Sequence, residues 1–370
     1  MKKTKIVHLI SSLKIGGAES LLPDLIEGLG FEQFEHEVFY FHAGPNVKRL
    51  ELLSVPVQQI QGLFFLYDPV FFWRLWRAIW VSKPTVMHCA LWAANLFGRC
   101  IGYLQKIPVV CVVHLGVDLD GALRNFLDRF TFRLSTRVVA VSNVVADSIH
   151  TKKGWISPDA VTTILNGIDA DAIVTRAQQN SKKREEIGLP DDAIVIGCVG
   201  RFVERKNISL LLHSFADLSI RYPKLYVVLV GTGPQEEMLR SLADTLGIRE
   251  RTIFVIGQSA YGYYPLFDIF VLCSRQEGLS IALLEAMSCG LPCIITTENE
   301  KHELIMSQRN GVIVKSGDQK ALTVALEKMA TEVNLRAVLG ANARACVDKE
   351  FRLDRMIDAY RNVFKSLENS

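Results

Sequence analysis

The sequence has little net charge, no closely spaced cysteine pair and no long apolar run. Its 370 residues include 42 Lys and Arg against 39 Asp and Glu, which gives a formal net charge of +3. An excess this small, without a basic stripe, does not predict a nucleic-acid-binding surface. The eight cysteines form no CxxC pair, and several lie inside apolar segments. Buried free thiols in a reducing compartment are therefore expected, and a zinc site is not.

No apolar run reaches the roughly 18 residues that a membrane-spanning helix needs, so we expect no transmembrane segment. The N-terminal stretch MKKTKIVHLISSLKIGG has a short apolar part that contains His8 and leads into Gly16 and Gly17. A first strand followed by a glycine turn fits this stretch better than a signal peptide does. The expected location is therefore the cytoplasm. A complete GxGxxG pattern is also missing, so a nicotinamide cofactor is poorly supported.

Short apolar runs alternate with helical patterns along the whole chain. The expected strands are KIVHLIS, HEVFYFH, TVMHCA, PVVCVVH and RVVAVS in the first half, then AIVIGCVG, LYVVLVG, RTIFVIG, DIFVLCS, PCIITT and NGVIV. Continuous apolar runs between helices are typical of parallel sheets covered on both faces. The predicted fold is α/β, with two Rossmann-like doubly wound domains facing across a cleft. The predicted divisions are an N-terminal domain 1–175, a C-terminal domain 186–350, and a helix 351–370 at the domain junction.

Two cations follow the strand AIVIGCVG. In the stretch GRFVERKN, Arg201 comes directly after the strand and Lys206 five residues later. Arginine can bind two phosphate oxygens at once, and lysine supplies a compact charge, so the pair suits a diphosphate. Ordinary surface charge is the alternative for this stretch taken alone.

Glycines follow two of the predicted strands and precede predicted helices. Gly16 and Gly17 follow the first strand, and Gly231 and Gly233 follow LYVVLV. Glycine permits close backbone approach, and the free N–H groups of a helix start attract anions. Each motif alone is weak evidence, because many tight turns between a strand and a helix contain glycine.

The stretch SRQEGLSIALLEAMSCGLPCI holds two carboxylates in an otherwise apolar, small-residue segment. Glu277 is expected in the loop after a strand, and Glu285 within a helix that Ser280 can cap. Eight helical residues correspond to roughly 12 Å along the axis and about 80° around it, so the two acids do not share a proton. They can contact opposite ends of one elongated ligand, and the amides of Gly278 and Leu279 can bind its phosphates.

His114 ends the strand PVVCVVH, where both packing and a role in a cleft stay open. Asp118 and Asp120 form a DxD pair, but such pairs are common in loops and metal binding is not favoured. Tyr261 or Tyr263 in GQSAYGYYPLFD can stack on a nucleobase, with core packing as the equal alternative.

The segment GLFFLYDPVFFWRLWRAIW (62–80) is dense in Phe and Trp and contains Arg74 and Arg77. A core helix with the usual apolar stripe is one interpretation. An amphipathic, arginine-bearing helix that lies on an anionic membrane or holds a lipid tail is the other.

Taken together, these motifs resemble the group 1 retaining glycosyltransferases of the GT-B fold. The matching stretches, in family order, are GGAE (16–19), VSN (141–143), NGID (166–169), GRFVERKN (200–207), GTGP (231–234) and EGLSIALLEAMSCGLPCI (277–294). The last motif is specific and the others are individually weak. The chain departs from the family pattern at two places, a mild change at Ser280 and a change at Asn299 and Glu300 that bears on the sugar contacts. Ser280 stands where the family often has Pro, and Asn299 and Glu300 stand where it commonly has a Gly-Gly pair.

The resemblance implies a role for each matching residue. Arg201 and Lys206 would hold the donor diphosphate, while Glu285 would bind the ribose and Glu277 the hydroxyls of the transferred sugar. The remaining implied substrate contacts are the loop of Gly16 and Gly17, the turn of Gly231 and Gly233, the backbone of Gly278, Leu279 and Ser280, and His114 near the sugar.

The implied activity is transfer of a sugar from a nucleoside diphosphate sugar, with UDP as the expected nucleotide, to a hydroxyl group with retention of configuration. The implied acceptor is a glycan or a lipid-linked saccharide in surface polysaccharide synthesis, reached at the inner face of the cytoplasmic membrane. No metal and no other cofactor is expected, because the cations take the metal's place. A nucleotide-sugar epimerase and a non-catalytic nucleotide-sugar-binding protein remain as alternatives.

Overall fold

The computed structural model describes residues 3–14, 16–62, 68–115, 122–152, 154–298 and 302–368. The chain divides into two compact units: Met1–Gly167 together with Leu353–Ser370, and Ile168–Arg352. In the described residues, each unit contains one parallel sheet with helices between its strands. The prediction of two doubly wound α/β domains is therefore confirmed.

The first unit holds a parallel sheet whose seven described strands run in the order β3-β2-β1-β4-β5-β6-β7. These strands are β1 (Thr4–Ser12), β2 (Phe34–His42), β3 (Val57–Gln59), β4 (Val86–Ala90), β5 (Val109–Val113), β6 (Arg137–Ala140) and β7 (Val161–Thr163). The edge strands β3 and β7 have three residues each and were missed by the sequence analysis, because so short a run carries no clear apolar pattern.

The helices of the first unit come between these strands. They are α1 (Gly17–Leu29), α2 (Asn46–Leu52), α3 (Pro69–Ser82), α4 (Trp92–Gln105), α5 (Ala122–Thr131) and α6 (Asn143–His150). Asp68 starts α3, because its Oδ1 accepts from the amides of Val70 and Phe71 at 2.9 and 3.2 Å. The central strands are covered on both faces, and Ile6, Val7, Leu9 and Ile10 of β1 are all fully buried.

The second unit holds a six-stranded parallel sheet in the order β10-β9-β8-β11-β12-β13. Its described strands are β8 (Ile194–Val199), β9 (Leu225–Gly231), β10 (Thr252–Ile256), β11 (Ile269–Leu272), β12 (Cys293–Thr297) and β13 (Val312–Lys315). Its helices are α7 (Ala170–Gln179), α8 (Ile208–Ser219), α9 (Glu236–Thr245), α10 (Ile281–Ser288), α11 (Gln319–Thr331) and α12 (Val333–Glu350).

The division between the units differs from the predicted linker. The structure places it after Gly167, whereas the sequence placed it at 175–186, because α7 packs against α10 within the second unit. The terminal helix α13 (Leu353–Ser366), expected at the junction of the domains, belongs to the first unit and packs on α1. Arg361 of α13 donates to the carbonyl of Gly28 at 3.0 Å, which fastens the two helices.

Among the described residues, no helix combines the length and the apolar character that crossing a bilayer requires. The eight cysteines are free thiols, and five of them are buried. Ser280 occupies the N-cap position of α10 as the sequence predicted, but its side chain makes no capping hydrogen bond.

A chain of buried histidines crosses the first sheet from strand to strand. His36 on β2 contacts the carbonyl of Gly30 through Nε2 at 3.1 Å, and its Nδ1 lies 3.0 Å from Nε2 of His8 on β1. Nδ1 of His8 in turn lies 3.0 Å from Nδ1 of His88 on β4. Because a carbonyl only accepts, His36 donates through Nε2, His8 donates to His36, and His88 donates to His8. Every ring in this chain is neutral when these bonds form.

Burial favours the same neutral state. It is the main cause that lowers the pKa of His8 well below its usual value and the pKa of His88 to about 3. Burial also lowers the pKa of His36, despite the opposing effect of its bond to Gly30. In the unfolded chain each histidine titrates near pH 6.5, so the unfolded chain takes up protons first as the pH falls. The stabilisation is therefore complete above that pH and is lost progressively below it.

We expect the free energy of unfolding to fall between pH 7.5 and pH 5, and to fall less steeply in the variant His88→Asn. Asparagine keeps a donor for His8 but does not titrate. The variant therefore loses the contribution of one histidine to the pH dependence of the free energy of unfolding, which is at most about 1.4 kcal/mol per pH unit. Urea titrations at several pH values measure the slope. The exposed His42 on β2 supplies the control His42→Asn, which should follow the wild type. Equal slopes for His88→Asn and the wild type would contradict the assignment.

Candidate functional site

Several of the predicted site residues follow neighbouring strands of the second sheet. Arg201 and Lys206 follow β8, Gly231 and Gly233 lie at the end of β9, and Glu277 follows β11. Strand β8 lies between β9 and β11, so the chain reverses its direction of winding beside β8. In open parallel sheets, ligands bind at the carboxyl ends of the strands next to such a reversal.

Lys206 and Glu277 form an ion pair at this edge. Their side chains are only 13% and 15% exposed, so most of the water that would solvate the two charges is excluded. The hydroxyl of Ser274 also donates to Oε1 of Glu277 at 2.6 Å. Burial alone would raise the pKa of Glu277, but the charge of Lys206 and the two hydrogen bonds outweigh burial and hold the pKa below its usual value. Glu277 is therefore an anion at neutral pH.

Arg205 is a further cation at this site that the sequence analysis missed. Its charge contributes to lowering the pKa of Glu277. Its Nη1 is buried and has no hydrogen-bond partner among the described residues. Its carbonyl accepts from the amide of Arg275 at 2.8 Å, which joins the loop after β8 to the loop after β11. By contrast, the side chain of Arg201 is exposed and forms no ion pair within the described ranges.

The glycines after β9 permit close contact with the loop after β8. A Cβ on Gly231 would lie 1.9 Å from the carbonyl oxygen of Gly200, and one on Gly233 would lie 2.4 Å from that of Phe202. The amide of Phe202 donates to the carbonyl of Thr232 at 2.9 Å across the same contact. These glycines therefore bring two backbone segments together at the sheet edge. Their proposed contact with a phosphate remains a prediction.

Glu285 has partners that the sequence did not reveal. The hydroxyls of Tyr264 and Tyr261 donate to its carboxylate at 2.6 and 3.1 Å. Arg176 of α7 lies over the ring of Tyr261, 5.9 Å from the ring centre, which is within the range of a cation–π contact. Tyr263, one of the two candidates for stacking on a base, is 2% exposed and its hydroxyl is bonded to Gln258. Core packing, the alternative interpretation, is correct for Tyr263.

His302 follows β12, and the sequence analysis assigned it no role. Nδ1 of His302 accepts from the amides of Leu304 and Ile305 at 3.2 and 3.4 Å. Glu277 is close enough to act electrostatically on its ring. The only sequence signal was its place a few residues after a strand. Asn299 and Glu300 lie outside the described residues.

In the first unit, Gly17 begins α1 and Gly16 is its N-cap residue, so both lie at the carboxyl end of β1. His114 follows β5, and its Nε2 is buried without a hydrogen-bond partner among the described residues. Burial lowers the pKa of His114 to about 4, so the ring is neutral at pH 7. The pair Asp118 and Asp120 lies outside the described residues. Within the described ranges, no group of three His, Cys, Asp or Glu side chains is placed to hold a metal ion.

Two family models together match most of the chain. Residues 179–345 match the family described as "Glycosyl transferases group 1", and residues 15–172 match "Glycosyltransferase Family 4". A D-inositol 3-phosphate glycosyltransferase of Saccharomonospora viridis is 30% identical over 304 residues, covering 76% of this chain and 69% of that protein. The UDP-Gal:alpha-D-GlcNAc-diphosphoundecaprenol alpha-1,3-galactosyltransferase of Escherichia coli is 23% identical, covering 98% of this chain and 97% of that protein.

Solved structures show the same fold. The structure of HepE from Anabaena in complex with UDP and glucose has a TM-score of 0.85 at 19% identity, covering 98% of this chain and all of that one. Sucrose-phosphate synthase from Thermosynechococcus elongatus has a TM-score of 0.79 at 19% identity, and the match covers 98% of this chain and 100% of that one. The architecture expected from the motifs is confirmed, and the chain belongs to the group 1 glycosyltransferases of the GT-B fold.

Proposed function

We propose that this glycosyltransferase moves a sugar from a UDP-sugar to a hydroxyl group, with retention of configuration and without a metal ion. The main support for this proposal is the ion pair of Lys206 and Glu277 at the carboxyl edge of the second sheet. Both side chains are largely shielded from water, and Arg205 lies close enough to act electrostatically on Glu277. The E. coli relative is named for a UDP-galactose donor, and HepE was solved with UDP. Both support UDP as the nucleotide.

The cations would act on the leaving group. As the bond between the sugar and the diphosphate breaks, negative charge grows on the departing phosphate oxygen. An ammonium group has three N–H bonds, so Lys206 can keep its contact with Glu277 and still donate to a phosphate. Arg201 is exposed and can bind phosphate oxygens in pairs. Because the protein holds these charges in place before the reaction, they stabilise the transition state more than the ground state.

Glu277 would bind the hydroxyls of the transferred sugar. Its carboxylate accepts from Lys206 and Ser274 and stays ionised, so it has remaining lone pairs for a sugar hydroxyl. The amides of Gly278, Leu279 and Ser280 come just before α10, where the partial positive charge of the helix start favours the phosphates. Glu285 would accept from the ribose while Tyr261 and Tyr264 hold its carboxylate in place.

The first unit would supply the acceptor side. We propose that the loop of Gly16 and Gly17 closes over the donor phosphate or the acceptor, and that the neutral ring of His114 lies near the sugar. The proposed acceptor is a lipid-linked saccharide in surface polysaccharide synthesis. Support comes from the E. coli relative, named for a diphosphoundecaprenol acceptor, and from CapM of Staphylococcus aureus, named for capsular polysaccharide and 22% identical over 95% of this chain.

Helix α3 supports contact with a membrane. Its inner face is a core stripe of Phe71, Leu75 and Ile79, all fully buried. Core packing does not account for Trp73 and Trp80, because their side chains are 54% and 56% exposed. Exposed indole rings favour the interface between lipid headgroups and acyl chains, so we propose that this face lies on the inner leaflet of the cytoplasmic membrane.

The arginines of α3 give this contact its lipid preference. Arg74 and Arg77 are both exposed, and the guanidinium of Arg77 lies 5.7 Å from the centre of the Trp73 ring. Arg74 donates to the carbonyl of Gln61 at 3.2 Å. Cations beside interfacial aromatic rings are attracted to anionic lipids. Residues 63–67 of the predicted segment 62–80 lie outside the described residues.

We expect Glu277→Gln, and separately Arg201→Ala/Lys206→Ala, to lower kcat by at least about a hundredfold, since one lost transition-state contact costs on the order of 3 kcal/mol. The assay measures release of UDP and formation of product from UDP-galactose, UDP-glucose or UDP-N-acetylglucosamine with GlcNAc-diphosphoundecaprenol as acceptor. The matched control is Glu204→Gln, which removes an exposed carboxylate paired with Arg275 and should retain activity. A folded and active Arg201→Ala/Lys206→Ala variant would refute the role of these cations.

The same assay separates the proposed reaction from its alternatives. An epimer formed from the donor alone would favour an epimerase, and donor binding without product would favour a sensor. Proton NMR of the first product should show the same anomeric configuration as the donor.

Excess EDTA should leave the rate within about twofold of the untreated enzyme, because fixed cations would supply the charge that a metal supplies elsewhere. The measurement compares initial rates after dialysis against EDTA, with and without added Mg²⁺ or Mn²⁺. Activity that disappears with EDTA and returns with the metal would disprove metal independence.

We expect Trp73→Ala/Trp80→Ala to bind vesicles of phosphatidylglycerol and phosphatidylcholine at least about tenfold more weakly than the wild type, because it removes the exposed rings. Co-sedimentation with vesicles measures binding, and added salt should weaken wild-type binding by screening Arg74 and Arg77. The control Ile220→Ala/Val324→Ala removes two exposed apolar side chains of the second unit. If both double variants bind equally well, α3 is not the membrane contact.

A further inference from the structure

His302 follows β12, and β12 is the neighbour of β11, the strand that precedes Glu277. Strands β11 and β12 are neighbours in the sheet, with Leu272 opposite Ile295, so their carboxyl ends are adjacent. The hydroxyl of Thr296 donates to the carbonyl of Ser274 at 3.1 Å, and the hydroxyl of Ser274 donates to Glu277. His302 follows the end of β12 by five residues, and Glu277, the carboxylate that we propose to contact the sugar, is close enough to act electrostatically on its ring.

Backbone hydrogen bonds decide which ring nitrogen of His302 carries the proton. Two amides, those of Leu304 and Ile305, point at Nδ1. Since an amide N–H only donates, Nδ1 must present its lone pair, and the proton of the neutral ring is on Nε2. Protonation of Nδ1 would place three N–H groups against one another. The loop thus selects a neutral imidazole that donates through Nε2.

The turn that supplies these amides is fixed by further hydrogen bonds and by burial. The side chain of Asn310 is buried, accepts from the amide of Met306 at 2.7 Å and donates to the carbonyl of Leu304 at 2.8 Å. Leu304 and Ile305 are also fully buried in the core of the second unit. The orientation of the His302 ring is therefore set by a packed segment and does not depend on a ligand.

His302 is neutral at physiological pH. Burial lowers its pKa to about 4, although the charge of Glu277 acts in the opposite direction. Its Nε2–H makes no hydrogen bond to any other residue that the structure describes. Lys206 and Ser274 both donate to Oε1 of Glu277, so the donor of His302 and this carboxylate are near each other without being bonded to each other.

We propose that Nε2–H of His302 donates a hydrogen bond to a hydroxyl of the transferred sugar, and that Glu277 accepts one from the same sugar. A sugar hydroxyl both donates and accepts, so a neutral donor beside a carboxylate recognises both of its functions. This makes His302 a specificity-determining residue, and it rests on the proposed function of a UDP-sugar transferase. A phosphate contact is less suitable, because the nearby cations serve an anion better than a neutral ring does.

The test compares two variants by isothermal titration calorimetry. Asparagine in His302→Asn retains an acceptor for the two amides but has no group at the position of Nε2. Glutamine in His302→Gln retains an N–H near that position. The probes are UDP and whichever of UDP-glucose, UDP-galactose and UDP-N-acetylglucosamine the wild type binds most tightly.

We expect His302→Asn to bind UDP within about twofold of the wild type and the sugar nucleotide about three- to tenfold more weakly, the range expected for one lost hydrogen bond. His302→Gln should recover part of the lost affinity. A residue with only a structural role would instead lower the Tm and weaken UDP binding as well.

Other outcomes overturn the inference. If His302→Asn binds UDP and the sugar nucleotide more weakly by the same factor, His302 contacts the diphosphate or maintains the fold of the loop, and it does not bind the sugar. Unchanged binding of both would show that His302 does not contact the sugar. If the wild type binds UDP but His302→Asn leaves sugar binding intact, the proposed function survives and this inference fails. If the wild type binds none of the four nucleotides, the proposed function fails, and this inference fails with it.

Discussion

The ion pair between Lys206 and Glu277 is the constraint on which the rest of the candidate site depends. Both side chains are largely removed from water, and losing one partner of a buried pair costs several kcal/mol because the other charge is left uncompensated. The pair therefore requires β8 and β11 to be neighbours in the sheet, because the loop after each of these strands supplies one of the two residues. The sheet order of the second unit meets that requirement.

Other polar contacts extend outward from this pair. Ser274 connects Glu277 to β12 through Thr296, and the backbone of Arg205 connects the same loop to the segment after β8. Consequently, the loops after β8 and β11 and the end of β12 belong to one network of hydrogen bonds. A side chain in any of them is positioned by the other two, which is the precision that recognition of a small, polar ligand requires.

Much of the fold followed from sequence because its physical causes are local. Apolar runs such as the one that became β1 predicted buried parallel strands, and the motifs that follow these strands identified Lys206 and Glu277 as candidate site residues. The rest depended on contacts distant in sequence. Nothing near Glu285 indicated that Tyr264 would bond to it, and nothing near α7 indicated that it would pack with the second unit. His302 was missed because its tautomer depends on a turn that only the folded backbone defines.

The close backbone contact of Gly231 with Gly200 limits which residues this chain can accept at the sheet edge. Any side chain at Gly231 would collide with a main-chain oxygen, which cannot swing aside as a flexible side chain can. A substitution at Gly231 would therefore displace the backbone of Gly200, from which the loop that carries Arg201 and Lys206 begins, whatever sugar the enzyme transfers.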